Sequence, residues 1–121
     1  MEEAKEKILY DKYPELFGQK DLSMQETCMC WGIDCGNGWF EILDQMCKEL
    51  QALKQPLQFT QIKEKFGTLR VYTNHCSDES EHIISKACDS SENTCEMCGQ
   101  PGKLDGKTWL STRCTVCKKG D

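Results

Sequence analysis

The sequence predicts a small α+β domain in which a cysteine-rich module follows a core of helices and a hairpin. Three observations carry this prediction: an apolar stripe at helical spacing, a later run of β-branched and aromatic residues, and two Cys-x-x-Cys pairs near the C-terminus. A chain of 121 residues is long enough for one modest core and not for two. We therefore expect a core over residues 1–93 with a zinc-binding module over residues 94–119 docked on it.

The first half of the chain predicts two helices separated by a glycine-rich turn. Residues 1–17 have the pattern of a short amphipathic helix and an irregular strap, because Pro14 interrupts the helical spacing. Gly36-Asn37-Gly38 supplies the permissive backbone of a tight turn. The main core helix should then run from about Trp39 to Leu53, where eight apolar residues recur every three or four positions.

The segment after this helix predicts a hairpin and a further helix. Residues 57–74 are rich in β-branched and aromatic side chains, which favours strands at about 58–65 and 68–74 with Gly67 in the turn. Ser77 then resembles a helix N-cap and is followed by an acidic first turn. Ile83, Ile84 and Ala87 form the apolar stripe of a helix at about 78–91.

The residues that carry chemistry are the four cysteines of the two C-terminal pairs: Cys95, Cys98, Cys114 and Cys117. Two Cys-x-x-Cys pairs fifteen residues apart are typical of zinc ribbons and treble-clef-like knuckles. Four thiolates select Zn²⁺ and leave no open coordination position, so we expect one structural zinc per chain. Iron in the same tetrahedral sulfur site remains an alternative.

The other cysteines have weaker signals. Five residues are candidates for a second metal site: Cys28, Cys30, Cys35, His75 and Cys76. Their spacing differs from that of a knuckle, so a second site is not expected. Cys47 and Cys88 fall on helical stripes, where cysteine acts as a small buried hydrophobe. A Cys76 nucleophile with His75 as its base is disfavoured, because neighbours on a strand point to opposite faces.

The charge is unevenly distributed over the chain. The net charge is −5, with the acidic surplus on the helical regions, whereas residues 61–74 carry three basic groups and one acidic group. We therefore take Lys63, Lys65 and Arg70, together with Trp31 beside the glycine-rich turn, as a candidate interaction surface. A solvated strand face, with Trp31 packed beside the core, is the alternative.

The sequence favours an intracellular location. No apolar run approaches the eighteen or so residues of a membrane span, and the N-terminus lacks the basic and apolar segments of a secretory signal. A mature secreted chain held by disulfides is the alternative explanation for the ten cysteines.

Four stretches of the chain form a recognisable combination: Tyr13-Pro14, residues 31–39, residues 63–72 and the Cys95-Glu-x-Cys98-Gly motif. Together they resemble a family of small uncharacterised proteins from bacteriophages and bacterial mobile elements, and the likeness covers residues 13–117. Asn37 stands where the family has an aspartate, and Val71 where it has an aromatic residue. The resemblance implies a phage or prophage origin and hence a host bacterial cytoplasm.

These observations predict a non-enzymatic, zinc-stabilised protein that binds a macromolecule of the host or the phage. A protein partner is expected first, for example a component of host defence or transcription machinery. Nucleic-acid binding through the zinc ribbon and the Lys63–Arg70 hairpin is the alternative, although the net negative charge disfavours it. We find no phosphate-cradling loop, paired catalytic carboxylates or Ser/His/Asp signature, so no enzyme activity is expected.

Overall fold

The computed structural model describes residues 1–25, 27–106 and 110–119, with the side chains of residues 118 and 119 excepted. The helices are α1 (Glu3–Lys12), α2 (Phe40–Ala52), α3 (Asp78–Ser91) and α4 (Thr115–Lys119). The strands are β1 (Ile33–Asp34), β2 (Phe59–Lys65), β3 (Thr68–Thr73), β4 (Lys103–Asp105) and β5 (Ser111–Arg113). The predicted α+β class is confirmed, and the predicted bounds of α2, β2, β3 and α3 agree with the structure to within two residues.

The N-terminal segment forms α1 and then a strap across the core. Pro14 stops the helix, and the chain continues in turns that bury Leu16 and Phe17. The strap is fixed at the sheet, because the Phe59 N–H donates to the Leu16 carbonyl at 2.9 Å and the Phe17 and Phe59 rings lie 4.9 Å apart. This segment therefore covers one side of the core.

A three-stranded sheet in the order β1-β2-β3 forms the layer opposite the helices. Strands β2 and β3 are the antiparallel hairpin, in which Ile62 lies opposite Val71 and Lys63 opposite Arg70. Strand β1 runs parallel to β2 and places Asp34 beside Lys63. Strand β1 was not predicted from the sequence, since two residues are too few to show an alternating pattern.

Helices α2 and α3 pack on each other and on the sheet. The α2 stripe of Leu43, Met46, Cys47 and Leu50 is buried, as its spacing predicts. Helix α3 begins at a capping box in which the Ser77 hydroxyl accepts from the Ser80 N–H at 3.1 Å. Within the described part of the chain, no helix is long and apolar enough to span a membrane.

Candidate metal centre

The four cysteines predicted to bind metal lie in one cluster. The Sγ atoms of Cys95, Cys98, Cys114 and Cys117 are all within 4.8 Å of one another, and Cys98 and Cys114 are 3.6 Å apart. Tetrahedral coordination at Zn–S distances of about 2.3 Å gives sulfur–sulfur edges of about 3.8 Å. The sulfur positions therefore fit a single tetrahedral ion.

The first pair belongs to a tight turn at the end of the α3 connection. The Gly99 N–H donates to the Cys95 carbonyl at 2.9 Å, and the Cys95 N–H donates to the Gln100 carbonyl at 2.8 Å. Gly99 has a φ of +82°, a conformation in which glycine is favoured. This turn brings the sulfurs of Cys95 and Cys98 to the same point.

The second pair lies where a strand becomes a helix. Cys114 follows β5, Cys117 lies within α4, and the Cys117 N–H donates to the Cys114 sulfur at 3.4 Å. The module thus runs from knuckle to hairpin (β4 and β5) to helix, and its cysteine cluster fits the predicted zinc knuckle. Helix α4 was not predicted from the sequence. It has only five residues, with Cys117 inside it and Cys114 just before it, and so few residues show no apolar stripe.

The electrostatics of the cluster lower the thiol pKa of Cys95 and Cys114 and raise that of Cys98 and Cys117. Burial opposes ionisation of Cys95, but backbone N–H groups of Cys114, Cys98 and Met97 lower the pKa of its thiol to about 6. Hydrogen bonds to Cys114 and Cys95 raise the pKa of Cys117 to about 12. A divalent cation has to displace the remaining protons, so metal affinity should fall as the pH falls.

The knuckle is docked on the glycine-rich turn that precedes α2. The Gly38 N–H donates to the Glu96 carbonyl at 2.7 Å, and the Gly36 N–H donates to the Glu96 carboxylate at 2.9 Å. Trp39 is fully buried, and its indole N–H donates to the Thr94 carbonyl at 2.9 Å. A Cβ at Gly38 would lie 2.0 Å from the Cys95 carbonyl oxygen, so only glycine permits this approach.

A second glycine contact joins the β2–β3 turn to the hairpin of the metal module. The buried Thr112 hydroxyl donates to the Gly67 carbonyl at 2.8 Å. A Cβ at Gly67 would lie 2.9 Å from the backbone of Ser111, and its φ is +81°. The two glycine turns noted in the sequence, at Gly38 and Gly67, therefore both allow the metal module to approach the core closely.

The remaining cysteines do not form a comparable cluster. Within the described residues, the Cys95 group is the one set of three or more Cys, His, Asp or Glu side chains arranged to hold a metal. Cys28 and Cys76 are exposed, whereas Cys35 and Cys47 are buried singly. Burial raises the pKa of the Cys35 thiol to about 12, so this cysteine is packed as an inert thiol.

The candidate interaction residues fall in two places. Lys63, Lys65 and Arg70 lie on the hairpin, and none of them forms an ion pair with a described residue. Trp31 is 70% exposed, but it borders a different groove, together with Glu6 and other residues of and near α1. Among the described residues, Trp31 therefore borders a groove that the three hairpin cations do not line.

Neither models of known protein families, nor curated proteins, nor solved structures match this chain. The chain has a C-terminal cluster of four cysteines that can hold one metal ion.

Proposed function

We propose that the cluster holds one Zn²⁺ and that this ion has a structural role. Thiolate ligands in tetrahedral arrangement suit Zn²⁺, and four protein ligands fill its coordination sphere. Among the described residues after α3, few apolar side chains are buried, and Cys95 and Thr112 are the fully buried residues. Metal binding would supply the folding free energy that so small a module lacks.

The protein is, in this proposal, a non-enzymatic recognition module. This proposal rests on the four-cysteine cluster, which contacts the core through hydrogen bonds to Gly38 and Gly67. A metal ion with four cysteine ligands has no coordination position left for a substrate or a reactive water. The ion instead fixes the turn between β2 and β3, beside which Lys63, Lys65 and Arg70 lie. The likeness of the motifs to phage and prophage proteins supports a role in the host bacterial cytoplasm.

The recognition surface in this proposal is the basic hairpin, and its partner is an anionic macromolecule of the host or the phage. Lys63, Lys65 and Arg70 have no ion pair in the described part of the chain, whereas Lys12 and Lys86 on the helices are paired at 2.6 and 2.7 Å. Cations left unpaired on a defined surface are available to a partner of opposite charge. Host defence or transcription machinery is the partner class that the phage likeness suggests.

Metal analysis tests the structural part of the proposal. We expect one zinc per chain from elemental analysis and native mass spectrometry of protein expressed without added metal. A coloured protein that contains ferric iron would show that the bound ion is iron and not zinc, and the structural role of the ion would stand. Two ions per chain, or an open site that accepts a further thiol or imidazole ligand, would contradict a closed structural centre.

Charge reversal tests the recognition surface. The double variant K63E/R70E should lose partners captured from phage-infected cells, whereas K48E/K54E, with the same charge change at exposed lysines of α2 and its end, should keep them. Circular dichroism must show that both variants are folded. Equal capture by the two variants would place recognition elsewhere on the molecule.

A further inference from the structure

We propose that the open face of the three-stranded sheet binds single-stranded nucleic acid. The inference rests on the proposed recognition role of the hairpin and names its partner class. It is carried by the alternation of cationic and aromatic side chains on one face and by the conformation of Phe66.

The cationic part of this face follows from strand register. Ile62 and Leu69 are buried, so their alternating neighbours Lys63 and Arg70 belong to the outer face, where they lie directly opposite each other. Like charges in directly opposed positions destabilise a strand pair, and Lys65 adds a third cation two residues along. Asp34, the register partner of Lys63 on β1, offsets one of the three charges. A polyanion would neutralise the rest.

Aromatic side chains lie at both ends of the same strip. Tyr72 is 45% exposed and follows Arg70 by two positions on β3, so it shares the outer face. Phe66 in the β2–β3 turn is 62% exposed, and the Lys65 ammonium lies 5.6 Å from its ring centroid. The Phe66 ring is therefore next to a cation of the outer face.

The backbone of Phe66 gives a second reason to assign it a function. Its φ is +55°, and with Gly67 at +81° it forms a two-residue turn in which both central residues have positive φ. Asparagine or glycine is favoured at the first position of such a turn, and a bulky residue there is strained. Phe66 gains little burial in return, so the folded chain alone does not explain an exposed ring at this site.

Single-stranded nucleic acid matches this combination better than a duplex or an acidic protein surface. Bases stack on exposed aromatic rings while lysine and arginine contact the phosphates between them. In a duplex the bases are stacked on one another and cannot stack on the two rings, and three cations are few for duplex phosphate contacts. An acidic protein surface as partner would account for the cations on this face, but not for two exposed aromatic rings with cations between them.

Fluorescence anisotropy with labelled single strands of about 12 nucleotides, as RNA and as DNA, tests the inference on the metal-bound full chain. We expect binding that weakens about 20-fold between 50 and 200 mM salt, the dependence expected for about three phosphate contacts. Tyr72→Ala and Phe66→Asn should each weaken binding at least about fivefold. Asparagine fits the turn, so the second variant should be at least as stable as the natural chain. Trp31→Ala removes an exposed ring from a different groove and should bind normally.

Three results would overturn the inference. These are no binding of either single strand at about 100 μM protein, duplex of equal length binding as tightly, or full binding by both aromatic variants. If oligonucleotides fail while K63E/R70E still loses a captured acidic protein, the nucleic-acid assignment is wrong and the recognition role of the hairpin stands. If K63E/R70E also keeps all its partners, both proposals fail.

Discussion

Replacement of Gly38 by alanine should separate the metal module from the core. The added Cβ would lie 2.0 Å from the Cys95 carbonyl oxygen and 2.6 Å from the Glu96 carbonyl carbon. Both neighbours are backbone atoms of the knuckle, so neither can rotate away. The module has to move by an ångström or more, and the 2.7 Å hydrogen bond from the Gly38 N–H to Glu96 breaks.

The expected cost is about 3 kcal/mol of unfolding free energy. A buried backbone hydrogen bond left unmade costs about 1–3 kcal/mol, and forcing extra volume into a packed contact costs about 1–3 kcal/mol. Alanine would return up to about 1 kcal/mol through the unfolded state, since Gly38 does not need positive φ. For a chain of this size, about 3 kcal/mol corresponds to a fall in Tm of roughly 12 °C.

Urea and thermal unfolding of the zinc-bound protein measure this effect, with Gly18→Ala as the matched control. A Cβ at Gly18 meets the end of the Gln58 side chain, which can move away, so this variant should stay within about 0.5 kcal/mol of the natural chain. Competition with a chelator should also show weaker zinc retention by Gly38→Ala, because docking and metal binding stabilise the same module. Equal stability and equal zinc affinity of the two variants would refute the docking contact.

Three further predictions concern the core. Burial raises the pKa of Asp44, but hydrogen bonds from Lys12 and Tyr13 outweigh burial and hold this pKa below its usual range. The ionised carboxylate therefore stabilises the fold above the unfolded-state pKa, and this stabilisation is lost as the pH falls through the folded-state pKa. Asp44→Asn should therefore cost about 1 kcal/mol at pH 7 and nothing near pH 2 in a pH series of urea unfolding curves. Ser77→Ala should cost about 1 kcal/mol by loss of the α3 cap, measured by thermal unfolding. In the folded, zinc-bound chain an alkylating reagent should modify exposed Cys76 and spare buried Cys35, as read by peptide mass spectrometry; the reverse order would contradict the packing.

The elements that repeat a local pattern could be predicted from sequence. The α2 stripe has helical spacing over more than three turns, and Ser77 with its acidic first turn indicates the start of α3. The four metal-site cysteines follow from spacing alone, because the same two-residue gap occurs twice at a ribbon-like separation. For these elements, the information lies within a few residues of the position concerned.

The contacts between elements could not be predicted in this way. Gly38 and Gly67 were recognised as turn residues, but their partners Glu96 and Thr112 lie 58 and 45 residues further along the chain. Strand β1 exists because a two-residue segment pairs with β2, and no local pattern marks it. The groove that Trp31 borders likewise depends on where α1 packs.

Amide hydrogen exchange before and after metal removal tests the central claim most directly. With one ion bound, the Gly38, Gly102 and Cys95 amides should be protected, because their N–H groups donate to the carbonyls of Glu96, Asn93 and Gln100. Exhaustive chelation should abolish that protection and lower Tm, and added Zn²⁺ should restore both. A metal-free chain that keeps these amides protected and unfolds at the same temperature would show that the metal does not hold the module on the core.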